Sequence, residues 1–160
     1  MSETIQTLRA ILTESREQLD ELYRTVNQVY DEDLPKIGRS NRSALMVAGL
    51  LENYYTCLET LFVRIAQTFE NNLSPERWHT DLLERMALSI EGVRIAAVSR
   101  ENQSRLTELL KFRHFRRYFF ELEYDWDRLA FLRKKLDQAH PVVLRDLATF
   151  DEFLHALNAK

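Results

Sequence analysis

The scarcity of residues that interrupt a helix is the feature that most constrains how this chain can fold. Its 160 residues include three glycines and three prolines, and most of these fall between long segments with apolar residues at three-four spacing. Apolar residues spaced in this way lie on one face of an α-helix, which is buried against a neighbour. No segment alternates as a half-buried strand does. The sequence therefore predicts an all-α fold, an up-and-down bundle of four or five helices.

The first two apolar stripes predict two long helices. The first stripe runs from Ile5 to Val29 and predicts a helix of about 28 residues, which the segment DLPKIGRS should end. The second should run from about Ser40 to Glu70. Its apolar face is wide, so we expect this helix at the centre of the bundle.

Three further helices are predicted after residue 70. Ser74 is a good N-cap for the first of them, and Pro75 at the first helical position costs no hydrogen bond. The predicted limits are Ser74 to about Gly92, then Ser99 or Glu101 to about Tyr124, with Asp125 as the cap of the last helix. Pro141 should bend or divide that last helix, since proline removes a hydrogen bond and clashes one turn back.

Composition and charge indicate which partners and which cellular compartment fit the protein. A net charge of −3 argues against a protein that coats nucleic acid with its whole surface. The one cysteine, Cys57, excludes a disulfide within the chain and fits a reducing compartment. The charged N-terminus is unlike a signal peptide, and no apolar stretch is long enough to span a membrane. We therefore expect a single soluble, cytoplasmic domain over residues 1–160.

Positive charge is concentrated in the fourth predicted helix. Between Arg94 and Arg117 there are seven basic residues against two glutamates, a net charge of +5 in a chain whose total is −3. The segment FRHFRRYFF, residues 112–120, combines this charge with five aromatic rings. Such a helix can attract phosphates. The alternative is a solvated face whose arginines pair with acids, which the segment ELEYDWD directly downstream could supply.

Spacing within this segment favours chemistry on a phosphate backbone. Arg113 and Arg117 are one turn apart, as are His114 and Tyr118, so each pair shares a face. Arginine offers a planar fork for phosphate, and histidine or tyrosine can exchange or donate a proton. Cleavage of RNA without a metal needs both functions. Arginine-aromatic helices also occur at dimer interfaces, so spacing alone leaves both interpretations open.

The same residues resemble the HepT-like proteins of the HEPN superfamily. The family signature is Arg, four residues, His, one residue, Tyr, and in the similar branch it reads Phe-Arg-His, two residues, Arg-His, one residue, Tyr. Phe112, Arg113, His114 and Arg117 match the first part. Separated segments agree in order over residues 40 to 155: ENYYTCLETLFVRIA, WHTDLLERMAL and ELEYDWDRL. The resemblance implies a helical bundle that acts as a metal-independent ribonuclease toxin, forms symmetric dimers and pairs with a small nucleotidyltransferase antitoxin.

The chain departs from the signature at two positions. Tyr118 stands where the signature has histidine, and Phe120 stands where it has the tyrosine that the antitoxin modifies with AMP. The resemblance therefore implies a catalytically weakened or inactive toxin that binds RNA, a nucleotidyltransferase, or both. A non-enzymatic helical adaptor, and an active endoribonuclease that uses His114, remain alternatives. We also predict a homodimer with the fourth helix at its two-fold axis, because the aromatic residues of this helix exceed what one bundle can bury.

The predicted site follows from these matches. The catalytic candidates are Arg113, His114 and Tyr118. The RNA-binding candidates are Lys111, Arg113, Arg116 and Arg117. For Arg113 the alternative is a salt bridge to an acid of a neighbouring helix.

Other polar residues are assigned to the structure of the bundle. Glu52 and Glu59 are seven residues apart and share a face, which the polarity of the helix or an ion pair explains better than acid-base catalysis. We expect His79 in the core, and His140 and His155 at the surface. No cysteine pair or His-Glu-x-x-His motif occurs, so neither a metal site nor a cofactor is predicted.

Overall fold

The helices lie close to where the apolar stripes predict them. In the computed structural model the described residues are 2–70, 78–118 and 124–160. Their α-helices are α1 (Ser2–Gln28), α2 (Leu34–Ile37), α3 (Asn41–Phe69), α4 (Trp78–Met86), α5 (Arg100–Tyr118) and α6 (Trp126–Asn158). Within these ranges, the extended backbone pairing is an isolated bridge between Ile90 and Arg94. The all-α prediction is confirmed, with five described helices longer than two turns and the one-turn α2.

Local capping explains the start of α3. The Ser40 hydroxyl accepts from the backbone N–H of Ser43 at 3.2 Å, and the Ser43 hydroxyl accepts from the N–H of Ser40 at 2.8 Å. This reciprocal pair satisfies two backbone donors that a helix start leaves without partners. At the start of α6, the Asp125 carboxylate likewise accepts from the N–H of Asp127 at 2.9 Å. The starts predicted at Ser40 and Asp125 are confirmed.

The predicted break after the first helix lies within the segment DLPKIGRS, as expected, but near its end. A π-helical turn, Val29–Asp33, follows α1 directly, and α2 continues the chain to Ile37. Pro35 lies in the first turn of α2, where a missing N–H costs no helical bond. The chain turns only at Gly38, whose φ of 77° lies in the region that favours glycine.

Two predicted helix limits are wrong. The predicted division of the last helix at Pro141 is one, since α6 is continuous from Trp126 to Asn158, whereas the alternative, a bend there, stays a prediction. The Pro141 neighbours Ala139, His140 and Val143 are buried, and their packing offsets the roughly 3 kcal/mol that an interior proline costs. The helix α4 ends at Met86 rather than near Gly92. The predicted start at Ser74 and Pro75, and the end of α5 near residue 124, involve positions outside the described residues.

Four helices form a closed ring in the order α1, α3, α5, α6. Each contacts the next, and α6 returns to α1, while α4 packs beside α3 and α5. Contacts between residues 9 and 151 and between 20 and 140 show that α1 runs antiparallel to α6. Contacts between residues 59 and 113 and between 52 and 116 show the same for α3 and α5. Because α3 contacts α1, α4, α5 and α6, its predicted central place is confirmed. The largest side chains in the core are Tyr54, Tyr55, Phe62, Phe112 and Phe150.

None of the helices in the described part of the chain has the length and apolar character needed to cross a membrane.

Candidate functional site

Every predicted site residue lies in the last two turns of α5, where the helix has an inward and an outward face. Phe112, Arg113 and Arg116 are buried or half-buried against the bundle. Lys111, His114 and Arg117 are exposed to solvent, and we call these three residues the outward face. Residues three apart lie on the same side of a helix, so each set is contiguous. The basic residues predicted to act together are therefore divided between two environments.

Arg113 is held by α3. Its Nε donates to the hydroxyl of Thr56 at 2.8 Å, and its Nη1 lies 3.2 Å and 3.3 Å from the two carboxylate oxygens of Glu59. The Arg113 side chain is 11% exposed and that of Glu59 is 9% exposed. The guanidinium fork matches these acceptors, which are one helical turn apart on α3. The alternative predicted for Arg113, a salt bridge to a neighbouring helix, is the contact observed.

Arg116 makes the second link to α3. Its Nε lies 2.6 Å from an oxygen of Glu52, and its Nη1 donates to the Tyr124 hydroxyl at 3.1 Å. The guanidinium also lies 5.6 Å from the centroid of the Tyr124 ring. Glu52 and Glu59 thus form ion pairs from one face of α3, as predicted. We call these two ion pairs, Arg113–Glu59 and Arg116–Glu52, the charged seam.

Arg94 does not belong to the basic surface with which it was grouped. Its side chain is buried and lies 2.7 Å from an oxygen of Glu70. It also donates to the backbone carbonyl oxygens of Arg85, Leu88 and Ile95. These contacts fix the turn between α4 and α5. Arg94 therefore serves the structure, and the positive surface is smaller than the charge count of the sequence predicts.

The outward face presents two cations and an imidazole to solvent. The Lys111 side chain is 63% exposed and lies 3.6 Å from an oxygen of Glu108. His114 and Arg117 are three and six residues further along the same side of α5. Because these side chains are exposed, they can contact the phosphates of a nucleic acid without the breaking of a buried ion pair.

The proton-transfer positions are only partly described. Tyr118 is the last residue of α5, and its backbone is helical. Its side chain, and the whole of Phe119 and Phe120, lie outside the described residues. Of the aromatic residues that led us to predict a dimer, Phe112 is buried in the core and so contributes no surface to a partner.

His140, predicted at the surface, is instead at the centre of a buried cluster. It is 5% exposed; its Nδ1 lies 2.8 Å from the Tyr54 hydroxyl and its Nε2 lies 3.0 Å from an oxygen of Asp20. The Tyr23 ring stacks on the imidazole at 4.2 Å. We call Asp20, Tyr23, Tyr54 and His140 the histidine cluster. It joins α1, α3 and α6.

Burial sets the protonation of the histidine cluster. Desolvation lowers the pKa of His140, and the hydrogen bond with Asp20 opposes this only in part. Desolvation also raises the pKa of the Tyr54 hydroxyl. A carboxylate accepts only, so the neutral ring donates from Nε2 to Asp20, and its Nδ1 accepts from Tyr54. Position 140 follows Leu136 and precedes Val143 at three-four spacing, a signal that could have predicted its burial.

The remaining candidates add no catalytic group. His155 is exposed as predicted, with its Nδ1 3.1 Å from Arg9 Nη1. The side chain of His79 lies outside the described residues. Among the side chains that the structure describes, no group of three or more histidine, cysteine or acidic residues is arranged to hold a metal ion.

Comparison with known proteins gives one match. A sequence model of the family described as "HepT-like protein" matches residues 46–154, more than half of the chain. The matched range contains the charged seam, the outward face and all of the FRHFRRYFF segment. No curated protein and no solved structure matches the chain.

Proposed function

The chain belongs to the HepT-like protein family, whose members are HEPN-type, toxin-like proteins, and we propose that it binds RNA with little or no nuclease activity. The family gives the class of protein. The division of the basic residues of α5 between two faces, together with the replaced signature positions, supports the finer proposal.

The exposure of the outward face is the observation that supports RNA binding in this proposal. Lys111 and Arg117 place two cations on the exposed side of α5, six residues or about 9 Å apart along the axis. Arg113 and Arg116 are half-buried against α3, whereas Lys111, His114 and Arg117 are exposed. The first contacts with RNA therefore fall on these three exposed residues.

The chemistry of positions 118 and 120 supports the loss of cleavage. An unperturbed tyrosine hydroxyl has a pKa of about 10, so at neutral pH it is a poor general base compared with histidine. General acid-base catalysis typically contributes about 10² to 10⁴ in rate. Phe120 has no hydroxyl at all. His114 is the one imidazole in the motif, four residues before Tyr118.

A comparison of three proteins on one RNA substrate tests this proposal. They are the natural protein, the double variant Tyr118→His with Phe120→Tyr, and His114→Ala. We expect binding without cleavage from the natural protein, and measurable cleavage from the double variant because it restores the signature. Rapid cleavage by the natural protein that is lost in His114→Ala would contradict the proposal and identify His114 as the general base. The absence of any RNA binding would favour the helical adaptor.

We also propose that the protein forms a symmetric homodimer. A symmetric dimer with α5 at its axis would bring two basic outward faces together, so RNA phosphates between them would stabilise it. Light scattering with and without RNA should show a dimer whose formation is promoted by RNA; a monomer under both conditions would contradict this.

A small nucleotidyltransferase is the second proposed partner, and it cannot modify Phe120. We expect copurification of the two proteins without added mass at that position. Intact-mass measurement and peptide mapping after incubation with ATP check this, and AMP on the peptide at Phe120 would contradict it.

A further inference from the structure

The pair between Arg113 and Glu59 has the form of an occupied anion site. One nitrogen of Arg113 lies 3.2 Å and 3.3 Å from the two oxygens of Glu59, while Nε is directed to the Thr56 hydroxyl. A carboxylate and a phosphate present similar pairs of oxygens to a guanidinium. Glu59 therefore occupies a position that a phosphate oxygen could take.

A surface groove on α3 leads to this pair. It has a volume of about 320 Å³ and is lined by Glu59, Thr60, Val63, Arg64 and Gln67. Arg64 is exposed and adds a second cation to the groove. A ligand in the groove would contact Glu59, the carboxylate that is paired with Arg113. The guanidinium is mostly shielded from water, where an ionic contact is stronger than at an exposed site.

We propose that this groove is a second phosphate site for bound RNA, closed by Glu59. This inference rests on the proposed RNA binding at the outward face. A phosphate entering from the α3 side displaces the carboxylate from Arg113 and is also contacted by Arg64. Exchange of one anion for another keeps Arg113 paired throughout, and the contacts of the phosphate with Arg113 and Arg64 offset the cost of separating Glu59 from its cation. Glu59 lowers the affinity for RNA because it competes for the same cation.

The test is a cycle of four proteins: the natural chain, Glu59→Gln, Arg113→Gln and the double variant. Binding of a short fluorescein-labelled polyuridine RNA is followed by anisotropy over a range of salt concentrations, after circular dichroism has shown that each protein is folded. Glu59→Gln retains an oxygen that can accept from Arg113, so the helices stay linked. Glu17→Gln, an exposed position on α1, is the control for net charge.

We expect Glu59→Gln to bind the RNA about tenfold more tightly, the effect of one charge-assisted hydrogen bond gained. The slope of the logarithm of its binding constant against the logarithm of the salt concentration should become steeper by about 0.7. This corresponds to one further phosphate contact on a single strand. Both effects should disappear in the Arg113→Gln background. Glu17→Gln should change the affinity by less than about twofold, since a distant exposed charge is screened.

Other outcomes overturn the proposal in distinguishable ways. If Glu59→Gln binds no more tightly than Glu17→Gln, Glu59 does not close a phosphate site. If the gain persists in the Arg113→Gln background, it comes from overall charge rather than from release of Arg113. If none of the proteins binds RNA, the proposed function itself fails. Should Glu59→Gln not fold, Glu59→Asp weakens the pair while keeping its charge; a smaller gain then supports the site and unchanged affinity contradicts it.

Discussion

The central helix α3 carries two polar clusters that hold its neighbours in different ways. The histidine cluster joins α3 to α1 and α6 through hydrogen bonds of the neutral His140 imidazole and a stacked aromatic ring. The charged seam joins α3 to α5 through two arginine-carboxylate pairs. Burial favours the neutral imidazole in the first cluster, whereas the second is built from ion pairs. The comparison indicates that α3 holds α5 by ion pairs for which an anionic ligand can compete, whereas its link to α1 and α6 in the histidine cluster is centred on a neutral ring.

The largest expected loss of stability comes from breaking the buried half of the charged seam. Arg113→Ala should lower the free energy of unfolding by about 3 kcal/mol or more, because it leaves the carboxylate of Glu59 buried without its cation. Arg117→Ala, on the exposed side of the same helix, is the matched control and should change it by about 0.5 kcal/mol at most. Urea denaturation measures both. Equal losses would mean that Arg113 contributes no more than a surface residue.

A smaller loss is expected from the histidine cluster. Tyr54→Phe removes the hydroxyl that donates to His140 Nδ1 and leaves this buried nitrogen without that donor. The free energy of unfolding should fall by about 1–3 kcal/mol. Tyr23→Phe keeps the stacked ring and removes a hydrogen bond to Asp137 at the surface, so its effect should be smaller. Thermal and urea unfolding of the two variants test this order. A larger loss in Tyr23→Phe would contradict the assigned hydrogen bonds.

The outer half of the charged seam should contribute less than the inner half. Glu52→Gln retains an oxygen that accepts from Arg116, and the site is more open to solvent, so we expect a loss of about 1 kcal/mol or less. The loss should shrink further in high salt, because salt screens partly exposed charges. Denaturation at two salt concentrations checks this. A loss as large as that of Arg113→Ala would show that the two pairs are energetically equivalent.

The histidine cluster also predicts a modest pH dependence of stability. Burial lowers the pKa of His140 in the folded state below the value of about 6.5 for an unfolded histidine. Below that pH the unfolded chain binds more protons than the folded one, so stability falls with falling pH. Unfolding measured from pH 7 to pH 5 should show this decrease, and His140→Gln should flatten it. An increase in stability over the same range would contradict the neutral imidazole.

Local signals predicted much of this fold. The starts at Ser40 and Asp125 depend on side chains that hydrogen-bond to nearby backbone, and such contacts can be read from a few residues. The shared face of Glu52 and Glu59 follows from helical periodicity alone. These features required no knowledge of how the helices are arranged.

The features that could not be predicted depend on tertiary contacts. The continuity of α6 through Pro141 depends on packing against other helices, which overrides a local preference. The pairing of Arg113 with Glu59 depends on how α5 is aligned against α3. The acidic residues between positions 121 and 127, which are nearer in sequence, were alternative partners for the arginines of α5. His140 was misplaced because its partners, Asp20 and Tyr54, are far away in sequence and a histidine beside a proline resembles a surface turn.

The proposed division of α5, into a face that holds the bundle and a face for RNA, is tested most directly by one binding measurement. Lys111→Ala with Arg117→Ala is compared with Arg24→Ala with Lys160→Ala, which removes the same charge from exposed positions elsewhere. We predict that the first pair weakens binding of polyuridine RNA and lowers the log–log salt slope by about 1.4, two phosphate contacts on a single strand, while the second pair leaves the slope unchanged. Equal slopes for both pairs would contradict the assignment of RNA binding to the outward face.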